Sequence, residues 1–125
     1  MKVLFVCEGN VGRSQMAEGI FRELSHGKHE AFSAGTLVIK GDDHALKEIG
    51  VDASEYVREP VTQELVESAD TVVVMARDET VPEYLKTSPK AIFWDVADPF
   101  EQSLEFTRRI RDQIRTHIEG LVTSM

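Results

Sequence analysis

The sequence has little of several features that would assign it to particular protein classes. It contains one cysteine, Cys7, so no disulfide can form within the chain, and this usage suits a reducing cytoplasm. The apolar run near its start, residues 3–6, is too short for a signal peptide or a membrane span. Positive charge is scarce, because 14 Lys and Arg stand against 22 Asp and Glu, a net charge of −8. We therefore expect a cytoplasmic protein that binds neither nucleic acid nor a membrane.

The length and composition predict a small globular protein. Its 125 residues, 42% of them hydrophobic and 29% charged, predict one domain, residues 1–125, with a core that needs no disulfide or metal to support it. The four histidines share no metal-binding spacing with one another or with further cysteines. The sequence therefore predicts no metal site.

Apolar patterning predicts strands and helices in alternation. The predicted strands are residues 2–6, 29–33, 71–75 and 91–94. The predicted helices are residues 14–25 (ended by Gly27), a short helix capped by Asp42 or Asp43 through Ile49, a helix capped by Thr62 through 68, and residues 78–86 and 103–122. Leu37, Val38 and Ile39 form an apolar loop that either lines the mouth of a pocket or covers the core.

Strands separated by helices require parallel strands joined by right-handed crossovers. The sequence therefore predicts an α/β fold, in which a central four-stranded parallel sheet is covered on both faces to give three layers, α/β/α. Ligands bind at the carboxyl ends of such strands. The loop after the first strand and the residues after the last strand should therefore reach the same edge of the sheet.

The loop between the first strand and the first helix suits a tetrahedral oxyanion. Glycine and asparagine readily take positive φ angles, which turn consecutive backbone N–H groups toward one point. The start of the helix adds free N–H groups and the positive end of its dipole. Arginine adds a planar fork that can contact two oxygens. We predict that the anion is bound by Glu8, Gly9, Asn10, Val11, Gly12, Arg13 and Ser14.

Cys7 opens this loop and is the candidate nucleophile. A cation and a helix N-terminus favour the thiolate, which is the reactive form of cysteine. The hydroxyl of Ser14 is placed to donate to the sulfur. A lone cysteine at the end of a buried strand is more often an inert apolar residue. The loop around Cys7 nevertheless favours the nucleophile, since packing alone gives no reason for these residues in this order.

Cys7, five further residues, Arg13 and Ser14 resemble the phosphate-binding loop of low-molecular-weight protein tyrosine phosphatases and their arsenate-reductase relatives. The resemblance continues through Ser33-Ala34-Gly35-Thr36, Ala69-Asp70 with the apolar run at 72–75, and Asp98-Pro99-Phe100. It implies the strand order 2-1-3-4. It also implies a hydrolase that acts on phosphomonoesters, such as protein phosphotyrosine or small aryl phosphates, and is inhibited by phosphate or vanadate.

In this resemblance the reaction passes through a phosphocysteine and requires no cofactor. Cys7, Arg13 and Asp98 would be the catalytic residues, with Asp98 as the general acid. Asn10, Ser14 and Ser33 would support the loop. Aspartate before proline is also a common turn residue, and Asp95 is the alternative acid.

Several residues depart from the family pattern. Gly12 stands where the tyrosine phosphatases usually carry a second cysteine, and Val11 where relatives that act on phosphoarginine tend to have threonine. Phe100-Glu101 and Leu37-Val38 supply fewer aromatic side chains than many members have at these places.

Two other functions remain open from the residues. Gln15 after Ser14 resembles arsenate reductases, and with one cysteine such an enzyme would need an external low-molecular-weight thiol or a redoxin as its partner. The third alternative is a phosphocysteine carrier or a phosphoprotein-binding module. Arg13 argues against the carrier, because carriers of this fold generally lack that arginine.

Overall fold

The computed structural model describes residues 1–9, 13–37, 60–97 and 103–125. Several sequence predictions lie outside these residues: the short helix ending at Ile49, the loop residues Val38 and Ile39, the predicted anion-binding residues 10–12, and Asp98. Leu37, the described member of that apolar loop, is 54% exposed.

Four parallel strands form the sheet. They are β1 (Lys2–Cys7), β2 (Glu30–Gly35), β3 (Thr71–Val74) and β4 (Ala91–Phe93). Their order is β2-β1-β3-β4, and each neighbouring pair is parallel. The predicted fold class and strand order are confirmed.

The helices are α1 (Arg13–Leu24), α2 (Gln63–Ser68), α3 (Glu83–Lys86) and α4 (Leu104–Ser124). Side chains cap two of them: Thr62 Oγ1, as expected, accepts from Leu65 N at 3.1 Å, and Ser103 Oγ accepts from Phe106 N at 3.1 Å. None of the helices in the described residues is long and apolar enough to cross a membrane.

The single helix predicted over residues 78–86 is wrong. A 3-10 turn covers Asp78–Thr80, and α3 starts only after Pro82. Val81 has φ −83° and ψ 125°, which is extended backbone. Proline disfavours the helical conformation in the residue before it, and so the segment divides at Val81.

Two strands are longer than predicted. β2 continues through Gly35, where a turn at residues 34–36 was expected, because Gly35 pairs with Cys7 in the ladder. Thr36 N then donates to Cys7 O at 2.9 Å. This pairing holds the end of β1 in extended conformation up to Cys7, which is the candidate nucleophile.

Each face of the sheet has its own core. Val3 and Phe5 pack with α1 and α4 on one face, whereas Leu4 and Val6 pack with α2 and α3 on the other. These four residues are fully buried. Because side chains alternate along a strand, β1 fills both cores by being apolar at every position from Val3 to Val6. The three-layer arrangement follows from this.

The long helix α4 packs against α1 through one stripe. Ile110, Ile114 and Ile118 are buried at the spacing that a helix face requires. This packing fixes the position of α1. The first residue of α1 is Arg13, which belongs to the candidate site.

Phe21 tests this core. It is fully buried, and its ring meets that of Phe5 edge-on at 5.7 Å. We expect Phe21→Ala to lower the free energy of unfolding by about 3–5 kcal/mol, because the lost contacts leave a cavity. Urea unfolding measures the change. Leu104→Ala, at a position that is 65% exposed, serves as the control and should cost about 0.5 kcal/mol or less. Equal losses in both variants would contradict this account of the core.

Candidate active site

The candidate site lies at the carboxyl end of β1, the edge at which parallel α/β sheets bind ligands. Cys7 ends β1, and Arg13 and Ser14 begin α1. All three are buried, with relative exposures of 2%, 5% and 0%. The fold therefore gathers a thiol, a guanidinium and a hydroxyl inside one loop.

The sulfur of Cys7 lies against the hydroxyl of Ser14. Sγ and Oγ are 3.1 Å apart, which is hydrogen-bond distance for sulfur. A thiol donates to this hydroxyl, whereas a thiolate accepts from it. The contact therefore suits a sulfur that changes between the two forms.

Arg13 is held by main-chain carbonyl groups of two residues that follow β3 and β4. Its Nη1 donates to Met75 O at 2.7 Å and to Val96 O at 2.9 Å. Nη1 carries two hydrogens, so these bonds use both of them. These two bonds anchor one side of the guanidinium to the main chain.

Glu8 also contacts Arg13, through its carboxylate. Glu8 Oε2 accepts from Arg13 Nη2, and Glu8 Oε1 accepts from the main-chain N–H of Arg77 at 2.6 Å. Arg77 Nε lies 3.3 Å from the same Oε1. Burial by itself raises the pKa of Glu8, but the Arg77 N–H and the Arg13 charge outweigh it and lower the pKa below its usual 4.5. Glu8 is therefore an ionised carboxylate inside the loop.

A cavity of about 790 Å³ opens beside these residues. Arg13 and Glu8 line it together with Phe93, Trp94 and Asp95, which lie at and after the end of β4. Phe93 is 51% exposed. The lining of the cavity therefore includes both charged and aromatic residues.

The structure places the predicted site residues as follows. Cys7, Glu8, Arg13 and Ser14 come together, while Asn10, Val11, Gly12 and Asp98 lie outside the described residues. Ser33, predicted to support the loop, donates through Oγ to Glu18 of α1 at 3.1 Å. The catalytic and binding roles of all these residues stay predictions.

Sequence reasoning missed the contacts that hold Arg13. It offered no role for the Glu8 side chain, for Arg77, or for the carbonyl groups of Met75 and Val96. One signal was available, because the residues that follow parallel strands meet at one edge of the sheet. That rule brings the residues after β3 and β4 close to the loop, although it does not say which atoms meet.

A family profile described as low molecular weight phosphotyrosine protein phosphatase matches residues 2–125. The chain belongs to this family. This confirms the resemblance predicted from the sequence. The protein is therefore an enzyme of the low-molecular-weight phosphatase type.

Individual relatives of this phosphatase family member differ in what they are named for. A glutaredoxin arsenate reductase from Synechocystis sp. is 31% identical over 128 residues, covering 99% of this chain and 98% of that protein. The structure of an arsenate reductase in the phosphate binding state is 31% identical, with a TM-score of 0.77 and coverages of 98% and 97%. The YwlE arginine phosphatase from Geobacillus stearothermophilus is 28% identical, with a TM-score of 0.74 and coverages of 98% and 91%.

The ionised Glu8 predicts a pH dependence of stability. A group whose pKa is lowered by folding stabilises the protein above its unfolded pKa, and this contribution is lost as pH falls through the folded pKa. We therefore expect the free energy of unfolding of the wild type to exceed that of Glu8→Gln most clearly near neutral pH. The difference should shrink as pH falls below the usual value of 4.5. Urea unfolding of both proteins along a pH series measures it, and a difference that grows toward acid pH would contradict the assignment.

Proposed function

We propose that this protein hydrolyses phosphomonoesters, with Cys7 as the nucleophile. One observation carries the proposal: the Cys7 sulfur lies 3.1 Å from the Ser14 hydroxyl, and the residue before Ser14 is Arg13, whose side chain is buried. A nucleophile, a group that stabilises it and a cation for the oxyanion are thereby combined in one loop. The family, whose enzymes are phosphatases and arsenate reductases by name, supports the same chemistry.

In the first step the Cys7 thiolate attacks phosphorus in line with the leaving oxygen. The S–P bond forms as the P–O bond breaks, and Arg13 with the loop N–H groups holds the other three oxygens. Asp98 is proposed to protonate the leaving oxygen. In the second step a water molecule, deprotonated by Asp98, attacks phosphorus and breaks the S–P bond. The products are inorganic phosphate and the thiolate, which accepts from the Ser14 hydroxyl.

The cavity supports an aryl phosphate or a phosphoprotein as substrate. Phe93 and Trp94 are among its lining residues, and Phe93 is 51% exposed. We propose inorganic phosphate and vanadate as inhibitors, since both are tetrahedral oxyanions. We propose that the protein is located in the cytoplasm, where a single cysteine stays reduced.

Arsenate reduction is the second candidate, and the similarity to the Synechocystis glutaredoxin arsenate reductase favours it. Reducing arsenate to arsenite requires two electrons. Two thiols supply them when they are oxidised together to one disulfide. This chain has one cysteine. The second thiol would therefore come from a low-molecular-weight thiol or from a redoxin, which would be the partner of the reductase.

Both activities should be assayed on one preparation. Hydrolysis of p-nitrophenyl phosphate tests the phosphatase, and arsenate-dependent oxidation of glutathione with glutaredoxin tests the reductase. Phosphatase turnover without thiol-dependent arsenate turnover supports the first proposal. The reverse result would overturn it in favour of the reductase.

Cys7→Ser should abolish turnover in whichever assay is active, because serine lacks a thiolate at neutral pH. Phosphate should still bind, since Arg13 and the loop N–H groups supply the contacts. Steady-state rates and isothermal titration calorimetry with phosphate measure the two properties. A variant that retained more than a few per cent of the wild-type rate would remove Cys7 from the mechanism.

Arg13→Lys should reduce both binding and rate. An ammonium cannot reproduce the planar fork or donate to Met75 O and Val96 O while also contacting the anion. We expect kcat/KM to fall by about 10²-fold or more. The matched control is Arg22→Lys on the same helix, where the arginine is exposed and pairs with Glu18 at 2.8 Å. Similar kinetics in the two variants would show that Arg13 has no special role.

A further inference from the structure

The Glu8 carboxylate is an unusual group to find in a loop that binds anions. Both of its oxygens are held, Oε2 by Arg13 Nη2 and Oε1 by the Arg77 N–H at 2.6 Å. The Glu8 side chain is 13% exposed, so little water surrounds it. Arg13 therefore has a fixed negative partner before any ligand arrives.

The charges next to the anion loop consequently sum to nearly zero. The side chains of Arg13 and Glu8 are 6% and 13% exposed, and they form one buried ion pair. Arg77 is 65% exposed and also lies 3.8 Å from Glu79, so its charge is shared and screened by water.

The other acidic side chains at the cavity act more weakly. Asp78 is 83% exposed and lies 3.8 Å from Lys86, and Asp95 is exposed. Water screens both carboxylates. Among the acidic side chains that the structure describes at the cavity, Glu8 is therefore the one that acts most strongly on a ligand at Arg13.

A ligand with one negative charge and a ligand with two respond differently to such a pair. The attraction to Arg13 and the repulsion by Glu8 both grow with the charge of the ligand. For a second negative charge, the added repulsion therefore offsets most of the added attraction. A singly charged oxyanion keeps an O–H, which can donate to a carboxylate, whereas a doubly charged one has only acceptors. The pair therefore disfavours the second charge.

We propose that Glu8 is a specificity-determining residue, which makes the site prefer singly charged oxyanions to doubly charged ones. The inference rests on the anion site of the proposed function. It applies equally to phosphate and arsenate, because it concerns the charge of the ligand and not the central atom.

Two inorganic anions separate the effect of charge from that of shape. Sulfate is doubly charged throughout the neutral range, whereas inorganic phosphate passes from mainly singly to mainly doubly charged between about pH 6 and about pH 8. Binding should be measured by isothermal titration calorimetry in Cys7→Ser protein, so that the thiol adds no titration of its own. The proteins compared are Cys7→Ser alone and Cys7→Ser combined with Glu8→Gln, Glu8→Ala or Glu79→Gln.

We expect removal of the Glu8 charge to tighten sulfate binding by about tenfold or more, which is about 1.4 kcal/mol. Phosphate affinity should fall between about pH 6 and about pH 8 when Glu8 is present, and should fall clearly less when it is absent. Glu79→Gln removes the same charge from a side chain that is 71% exposed and pairs with Arg77. This control should change sulfate affinity by about twofold or less.

Glu8→Ala accompanies Glu8→Gln because the glutamine amide would place a donor against the donors of Arg13 and Arg77. Circular dichroism checks that each variant is folded. Sulfate affinity that stays unchanged or weakens in the folded variants, with phosphate still bound, would overturn this inference alone. Failure of every protein to bind phosphate would overturn the proposed anion site and this inference together.

Discussion

The structure of the site depends on the buried guanidinium of Arg13. A charge removed from water is stable only when hydrogen-bonding partners replace the water. Here the partners are Met75 O, Val96 O and the Glu8 carboxylate. Because these groups come from the ends of two strands and from the loop itself, Arg13 joins the anion loop to the sheet.

This arrangement links stability to binding. The carbonyl groups that hold Arg13 set the orientation of its guanidinium, and the Glu8 carboxylate places a negative charge beside it. Removing any member leaves a buried polar group without that partner, which is costly because the side chains of Arg13 and Glu8 are largely buried. The same contacts therefore maintain the fold near the loop and define the ligand it can accept.

The rest of the fold keeps these groups in place. β1 lies in the middle of the sheet and is buried on both faces, so Cys7 at its end has a fixed position. α1 is held against α4 by the apolar core on one face. Cys7 and Arg13 are thus attached to two well-packed elements, which is the usual way in which a loop of reactive groups is kept in order.

Much of this could be predicted from the sequence because the signals are local. The apolar runs predicted four strands, and the Cys7-to-Ser14 loop predicted the chemistry because its reactive groups are neighbours in the chain. Element ends were less predictable. Gly35 continues β2 because it pairs with Cys7, and Val81 divides a predicted helix because Pro82 follows it. The pairing of Gly35 with Cys7 joins residues that are distant in the chain, so no local pattern marks it. Pro82, in contrast, is a local signal, and the predicted helix over residues 78–86 did not take its effect on Val81 into account.

The sequence by itself determined which reactive groups the protein has and that they share one loop. Only the tertiary structure decided how Arg13 is held, because its partners Met75 and Val96 lie 62 and 83 residues further along the chain. These partners are also main-chain carbonyl groups, which every residue has and which no sequence pattern marks. The folding of parallel strands into one sheet selects them, by bringing the ends of β1, β3 and β4 to the same edge.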